Sequence, residues 1–414
     1  MPSAIVAGAT GILGREIVYE LAKHRQEWPT IHALSRSKKE EYPETVIHHH
    51  MDLLSSPDEM ANDLKTVQGS HVFFAAYIQK DTEQENWDVN GTILSNFLEA
   101  LVKTGAINGV ERIILVTGAK QYGVHLGATK NPMLESDPWL TDSKWPPNFY
   151  YNQQNILHSF CKEHQKEWTV TYPNDVIGYA VDNYMNLGTA IALYALISKE
   201  LDSKNEGLVF PGSPAFYTKF DCFTNSKLHA QFVAWAAKEP RAANEAFNVV
   251  NGDTETWQNL WPKVANYFGA KVKPSQFSSG VGSSILKYVS GDASSTSKLA
   301  PQPPLSTQAS AIGLEGTADL EQSVVEQHID LGKWSQRQDV KEAWSRIAER
   351  EGLQKDAFEK ATWGFLGFVL GRNYNLVISM SKARKAGWTG YVDTWESLEG
   401  VFDDLREAKI LPKA

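Results

Sequence analysis

The first fourteen residues confine the fold more tightly than anything that follows them. An apolar run, Ala4-Ile-Val-Ala7, enters the spacing Gly8-x-x-Gly11-x-x-Gly14, and a helical pattern begins at once on the far side. The first glycine permits a tight turn, the second lets backbone approach a pyrophosphate, and the third allows close packing of helix on strand. The helix start adds free amides and the positive end of its dipole. Strand, turn and helix together predict a βαβ unit that carries a dinucleotide, with Gly8, Thr10, Gly11, Ile12, Leu13 and Gly14 around its phosphates.

The rhythm set by that unit continues to about Val176. Short β-branched runs (Ala4 to Ala7, Ile31 to Ser35, Val72 to Ala76, Arg112 to Thr117) alternate with helical stretches (Gly14 to Lys23, Val89 to Val102). Such alternation predicts an α/β chain with a Rossmann-type doubly wound parallel sheet and a smaller, mostly helical C-terminal substrate region. Gly207 to Pro211 and Ala246 to Val250 read as two further strands. Residues 1–256 are assigned to the sheet domain, to which some later segments return, and residues 257–414 to the helical region. Within the latter, Ser278 to Gly316 is rich in Ser, Ala, Gly and Pro and reads as a long loop or flap.

Charge and cysteine content remove several function classes. The formal net charge is −9, without a dense Lys/Arg run, which disfavours nucleic acid or an anionic membrane as partner. Two cysteines, Cys161 and Cys222, make no disulfide framework and suit a reducing compartment. Met1 leads almost directly into the first strand without a signal-peptide pattern, and the apolar stretches near Leu187 and Trp363 fall short of the roughly 20 residues a bilayer needs. A cytoplasmic protein acting on a small molecule is expected, with a homodimer left open. His48-His49-His50 is not expected to hold a metal, because successive strand residues point to opposite faces.

The second strand ends in Leu34-Ser35-Arg36-Ser37-Lys38, without the acidic residue that would bond a ribose 2′-hydroxyl. Ser35, Arg36, Ser37 and Lys38 suit a 2′-phosphate, so NADPH is the expected cofactor. Asp52 and Leu53 follow the next apolar run and are placed near the adenine. The glycine spacing is the one favoured by short-chain dehydrogenases, yet their Tyr-x-x-x-Lys signature is missing: Gln154 and Asn155 stand four residues after Tyr150 and Tyr151. A cation must then come from another segment, and Lys120 in Gly118-Ala-Lys120-Gln-Tyr122 is the candidate.

Leu115-Val-Thr-Gly118-Ala-Lys120-Gln-Tyr122 and Pro147-Asn-Phe-Tyr150-Tyr151 resemble the two signature segments of the progesterone 5β-reductase/iridoid synthase family of atypical extended short-chain dehydrogenases. His71-Val-Phe-Phe-Ala-Ala-Tyr77, Pro211-Gly-Ser213, Ala246 to Asp253, Ser379 to Arg384 and Gly390 to Thr394 extend the likeness over nearly the whole chain except Ser278 to Gly316. The resemblance implies Lys120 and Tyr150 as the catalytic pair, with Tyr151 the weaker candidate. Ala75, Ala76, Tyr77, Thr117, Gly118 and Val176 join the cofactor contacts, and Tyr77, Tyr151, Met185 and Tyr374 line the substrate pocket.

The implied chemistry is hydride addition to the β-carbon of an α,β-unsaturated carbonyl, with Tyr150 and Lys120 stabilising the enolate and Lys120 drawing the phenol toward phenolate. A role in secondary metabolism goes with it. Tyr77 replaces the family's Trp and Tyr374 a pocket Phe, so the pocket is expected to be more polar than a steroid site; Tyr172-Pro173 stands where the family has Arg-Pro, a change expected to alter a structural contact near the cofactor. A carbonyl reductase or reductive cyclase is the alternative within enzymes, and a non-catalytic dinucleotide-sensing regulator the alternative outside them.

Overall fold

In the computed structural model, residues 2–37, 42–181, 183–277 and 294–413 are described. Seven strands, β1 (Ala4–Ala7), β2 (Ile31–Ser35), β3 (Val46–His50), β4 (His71–Phe74), β5 (Arg112–Val116), β6 (Glu167–Pro173) and β7 (Glu245–Val249), form one sheet. Its order is β7-β6-β5-β4-β1-β2-β3, and every neighbouring pair is parallel. Helices cover both faces, so β1, β2 and β4 are buried at every residue, with no alternation of buried and exposed positions.

The chain winds outward from β1 to β3, then restarts on the other side of β1 at β4. That reversal opens a crevice at the carboxyl ends of β1 and β4, the place where open α/β sheets take ligands. The register Ala7↔Phe74 sets Gly8 beside Ala75 at its mouth. Helix α1 (Gly14–Lys23) packs on α6 (Ser226–Lys238); on the opposite face α3 (Glu83–Lys103) packs on both α2 (Pro57–Asp63) and α4 (Phe149–His164). Capping boxes at Ser56 and Thr82 fix where α2 and α3 begin.

Two apolar cores underlie this architecture. One lies around the sheet and also takes in Tyr374, Leu376, Ile378 and Met380. The other joins α5 (Leu187–Leu201) and α7 (Trp257–Tyr267) to the C-terminal helices, and Trp334, Trp344 and Trp363 are buried in it.

Gly207 to Pro211, expected as a strand, makes only one bridge, Leu208 with Val272. Its pairing stops because Phe210 N donates to the Gln276 side chain at 2.8 Å, so a side chain takes the place of a ladder partner. Of the expected flap, residues 278–293 lie outside the described residues. The remainder carries a strand, Ser295–Lys298, antiparallel to Val324–Gln327, followed by buried Pro304 and Leu305. That strand escapes the sequence pattern because all four of its residues are polar. No described helix is long and apolar enough to cross a membrane.

Candidate active site

The glycine turn is packed to the limit at two of its three glycines. At Gly8 (φ +81°) a Cβ would lie 2.8 Å from the Ala75 carbonyl oxygen, and at Gly14 it would lie 2.1 Å from that of Gly8. A Cβ at Gly11 would meet only Gly8 O at 3.4 Å and Asn183 Oδ1 at 4.0 Å, so the backbone there has room to face a ligand. Ile12 N, at the helix start, donates to Asn183 Oδ1 at 3.4 Å, while Asn183 Nδ2 is buried without a partner among the described residues. An acceptor oxygen at that amide is what a pyrophosphate would also offer. Ile12 and Leu13 pack on Val116, Val176 and Ala180, which joins the turn to the ends of β5 and β6. Thr10 is half-buried beside them.

The far rim holds Ser35, Arg36 and Ser37. Ser35 Oγ donates to the Ser37 carbonyl at 2.9 Å and pairs with His48 Nε2 at 2.9 Å, while His50 Nδ1 donates to the Arg36 carbonyl at 2.9 Å. His49 bonds His32 at 2.9 Å, so the three consecutive histidines go to separate partners. No group of His, Cys, Asp or Glu with metal-holding geometry occurs among the described residues. Arg36 and Ser37 are exposed, which leaves the guanidinium available to an anion; Lys38 lies outside the described residues. Asp52 accepts from Leu54 N at 3.0 Å, with half-buried Leu53 between them.

Lys120 and Tyr150 come from separate segments that one residue ties together. Lys120 sits on the turn Ala119–Tyr122 after β5, and Tyr150 in the first turn of α4. Asn148 caps α4 by accepting from Tyr150 N at 3.1 Å, and its Nδ2 donates to the Lys120 carbonyl at 2.8 Å. Thr117 Oγ1 donates to Thr171 O at 2.9 Å, and a Cβ at Gly118 would lie 3.1 Å from Tyr150 Oη, so a larger residue there would crowd the phenol.

The two tyrosines differ in what holds them. Tyr151 Oη donates to the Gln121 carbonyl at 2.7 Å and accepts from Leu140 N at 3.0 Å, with its ring stacked on Trp139 at 4.7 Å. Tyr150 Oη bonds no described residue; its ring meets Phe149 at 4.4 Å. Tyr77 stacks on the same Phe149 at 6.2 Å, and its buried hydroxyl has no partner among the described residues. Met185 is half-buried in the loop before α5, whereas Tyr374 is buried and donates to the Val124 carbonyl at 2.6 Å.

Glu83, the first residue of α3, binds Lys120 Nζ at 2.5 Å, and the ammonium also lies 5.3 Å from the Phe149 ring centre. Burial lowers the Lys120 pKa despite this carboxylate, and burial followed by the Glu83 charge raises that of Tyr150. Burial, then the neighbouring Tyr150 and Tyr184, raises that of Tyr77. The lysine is thus paired with Glu83, and burial together with the Glu83 charge acts against a phenolate at Tyr150.

Gln154, at the position where Tyr-x-x-x-Lys would put lysine, donates to Gln121 Oε1 at 2.8 Å and accepts from Tyr172 Oη at 2.7 Å. Behind β6, Arg372 reaches Asp175 at 2.5 and 3.0 Å and Asp221 at 3.6 Å in a buried cluster. Glu83, Asn148 and Asn183 were not anticipated from the sequence; the Thr82 capping signal marks the helix that carries Glu83 but not its partner.

Residues 45–295 match the model of the PRISE-like Rossmann-fold domain, and residues 6–72 that of the male sterility protein. A Schizosaccharomyces pombe protein described as uncharacterized is 39% identical over 99% of this chain and 98% of its own. The chain belongs to the PRISE family. Other relatives are the (S)-8-oxocitronellyl enol synthase of Camptotheca acuminata, 27% identical over 99% of this chain and 93% of its own, and the 3-oxo-Delta(4,5)-steroid 5-beta-reductase of Arabidopsis thaliana, 25% identical over the same shares of the two chains, 99% and 93%. The PRISE likeness thus spans both the sheet and the C-terminal helices.

Proposed function

We propose that this protein is an NADPH-dependent reductase of an α,β-unsaturated carbonyl. The observation that carries the reading is Tyr150: beside Gly118, next to the Lys120–Glu83 pair, it keeps its hydroxyl uncommitted while Tyr151 spends its own on backbone. A relative named as a steroid 5-beta-reductase supports the same chemistry.

Gly8, Thr10, Gly11, Ile12, Leu13 and Gly14 would hold the pyrophosphate, Ser35, Arg36 and Ser37 the 2′-phosphate, and Asp52 and Leu53 the adenine side. Ala75, Ala76, Tyr77, Thr117, Gly118 and Val176 would border the nicotinamide. Bound there, the cofactor supplies the hydride for the β-carbon, and solvent supplies the proton for the α-carbon. Tyr150, a neutral phenol, donates its hydrogen bond to the carbonyl oxygen as that oxygen gains negative charge. Lys120, fixed by Glu83, adds a positive field that counts for more in a dry pocket than in water. Tyr77 and Met185 border the substrate; Tyr151 and Tyr374 shape the pocket from behind.

Anaerobic incubation with NADPH and a panel of enones, enals and ketones, followed by product identification, tests the reading. Saturated carbonyl products are expected. Alcohols formed from ketones would replace it with a carbonyl reductase, cyclised products with a reductive cyclase, and absence of NADPH consumption would leave a dinucleotide-sensing role.

A further inference from the structure

Ser35, Arg36 and Ser37 leave the sheet at the carboxyl end of β2, beside the edge strand β3, and each of their three carbonyl oxygens is committed to a donor. Met51 N donates to Ser35 O at 3.0 Å, His50 Nδ1 to Arg36 O at 2.9 Å and Ser35 Oγ to Ser37 O at 2.9 Å. A carbonyl can only accept, so Nδ1 of His50 carries its hydrogen. The arrangement matters for charge. A peptide oxygen turned toward a phosphate repels it, whereas oxygens held on these donors leave an anion to the exposed Arg36.

Of the three donors, His50 is the one side chain that reaches the turn from another strand. The parallel register pairs Ser35 with His50, which stands the imidazole beside the turn. The other two are less open to change: the Met51 amide belongs to the backbone, and Ser35 is buried. His50 is exposed, whereas half-buried His48 and His49 go to Ser35 Oγ and to His32. Replacing an exposed side chain costs little stability, so folding of the strand does not require a histidine there.

We propose that His50 is a positioning residue for cofactor selection: by holding the Arg36 carbonyl toward β3 it presents the Arg36 guanidinium to a ribose 2′-phosphate, and so helps set a preference for NADPH over NADH. This rests on the reading of Ser35, Arg36 and Ser37 as the 2′-phosphate rim.

Intrinsic tryptophan fluorescence titrations with NADPH and with NADH test it in the wild type, His50→Leu, His50→Gln, Arg36→Ala and the His50→Leu/Arg36→Ala double variant. In His50→Leu the Kd for NADPH should rise about 3- to 10-fold, as for loss of one hydrogen bond, while that for NADH stays. His50→Gln, whose amide can donate to the same carbonyl, should keep most of the preference. In the Arg36→Ala background His50→Leu should add almost nothing, because the two residues act as one unit. An unmoved NADPH Kd in His50→Leu, or an equal loss for both dinucleotides, overturns the assignment. So does His50→Gln behaving as His50→Leu, or full additivity with Arg36→Ala. A wild type that binds NADPH and NADH equally fails at the earlier step: it removes the 2′-phosphate rim itself, and this inference with it.

Discussion

At the start of α4, Tyr151 Oη makes two hydrogen bonds to backbone and Tyr150 Oη makes none to a described residue, so substitutions at the two positions should separate stability from activity. Tyr150→Phe is expected to cost on the order of 10² to 10³ in kcat with NADPH affinity nearly unchanged, as for loss of one oxyanion donor. Tyr151→Phe should instead lower unfolding stability by about 1–3 kcal/mol in denaturant titrations, since it leaves a buried amide and carbonyl unpaired. The pH profile of kcat/KM reports on Lys120. Its lowered pKa means the ammonium is lost, and the rate falls, at a pH below the ordinary lysine range; Glu83→Gln removes the charge that favours the ammonium and should shift that alkaline limb to still lower pH. An unmoved limb would show that the lysine does not govern it. Lys120 and Tyr150 can be proposed from the sequence because each sits in a local motif. The sequence hides Glu83 and Asn148, whose contacts with Lys120 come from segments brought close only by the fold.

At the scale of elements, the glycine turn is the part most completely written in the chain, because its geometry depends on residues within a few positions of one another. Gly14→Ala would set a methyl 2.1 Å from the Gly8 carbonyl oxygen, and overpacking of this kind should cost about 1–3 kcal/mol and weaken NADPH binding, both measurable by thermal unfolding with and without cofactor. Arg36→Ala should weaken NADPH by about 1.5–3 kcal/mol and leave NADH almost unaffected in fluorescence titrations, and equal losses for both would remove the 2′-phosphate contact. Elements defined by distant partners are less legible. Ser295–Lys298 is a strand only because Val324–Gln327 lies against it, and Gly207 to Pro211 has strand composition but spends the amide of Phe210 on a side chain.

Across the whole molecule, the sheet core recruits residues between Tyr374 and Ala386, and the helical core recruits α5, which precedes β7 in the chain. The Arg372 cluster links the C-terminal segment to the loop after β6. Arg372→Leu would leave Asp175 and Asp221 buried without their counter-ion, at a cost of about 3–5 kcal/mol near neutral pH. Burial, and then Asp175, already raise the Asp221 pKa. In the variant a folded-state pKa above the unfolded value means that the native form binds the extra proton, so the stability deficit should shrink as pH falls. Urea unfolding of both proteins across an acidic series measures it, and a pH-independent difference would show that packing and not charge is responsible. Asp175 and Arg372 are 197 residues apart. During synthesis the loop that follows β6 therefore leaves the ribosome long before its counter-ion does, and the site stays electrostatically unfinished until nearly the whole polypeptide has been made. A truncation that ends before Arg372 would keep every glycine of the turn and both members of the Lys120–Tyr150 pair, yet release a nascent chain whose carboxylates still seek water.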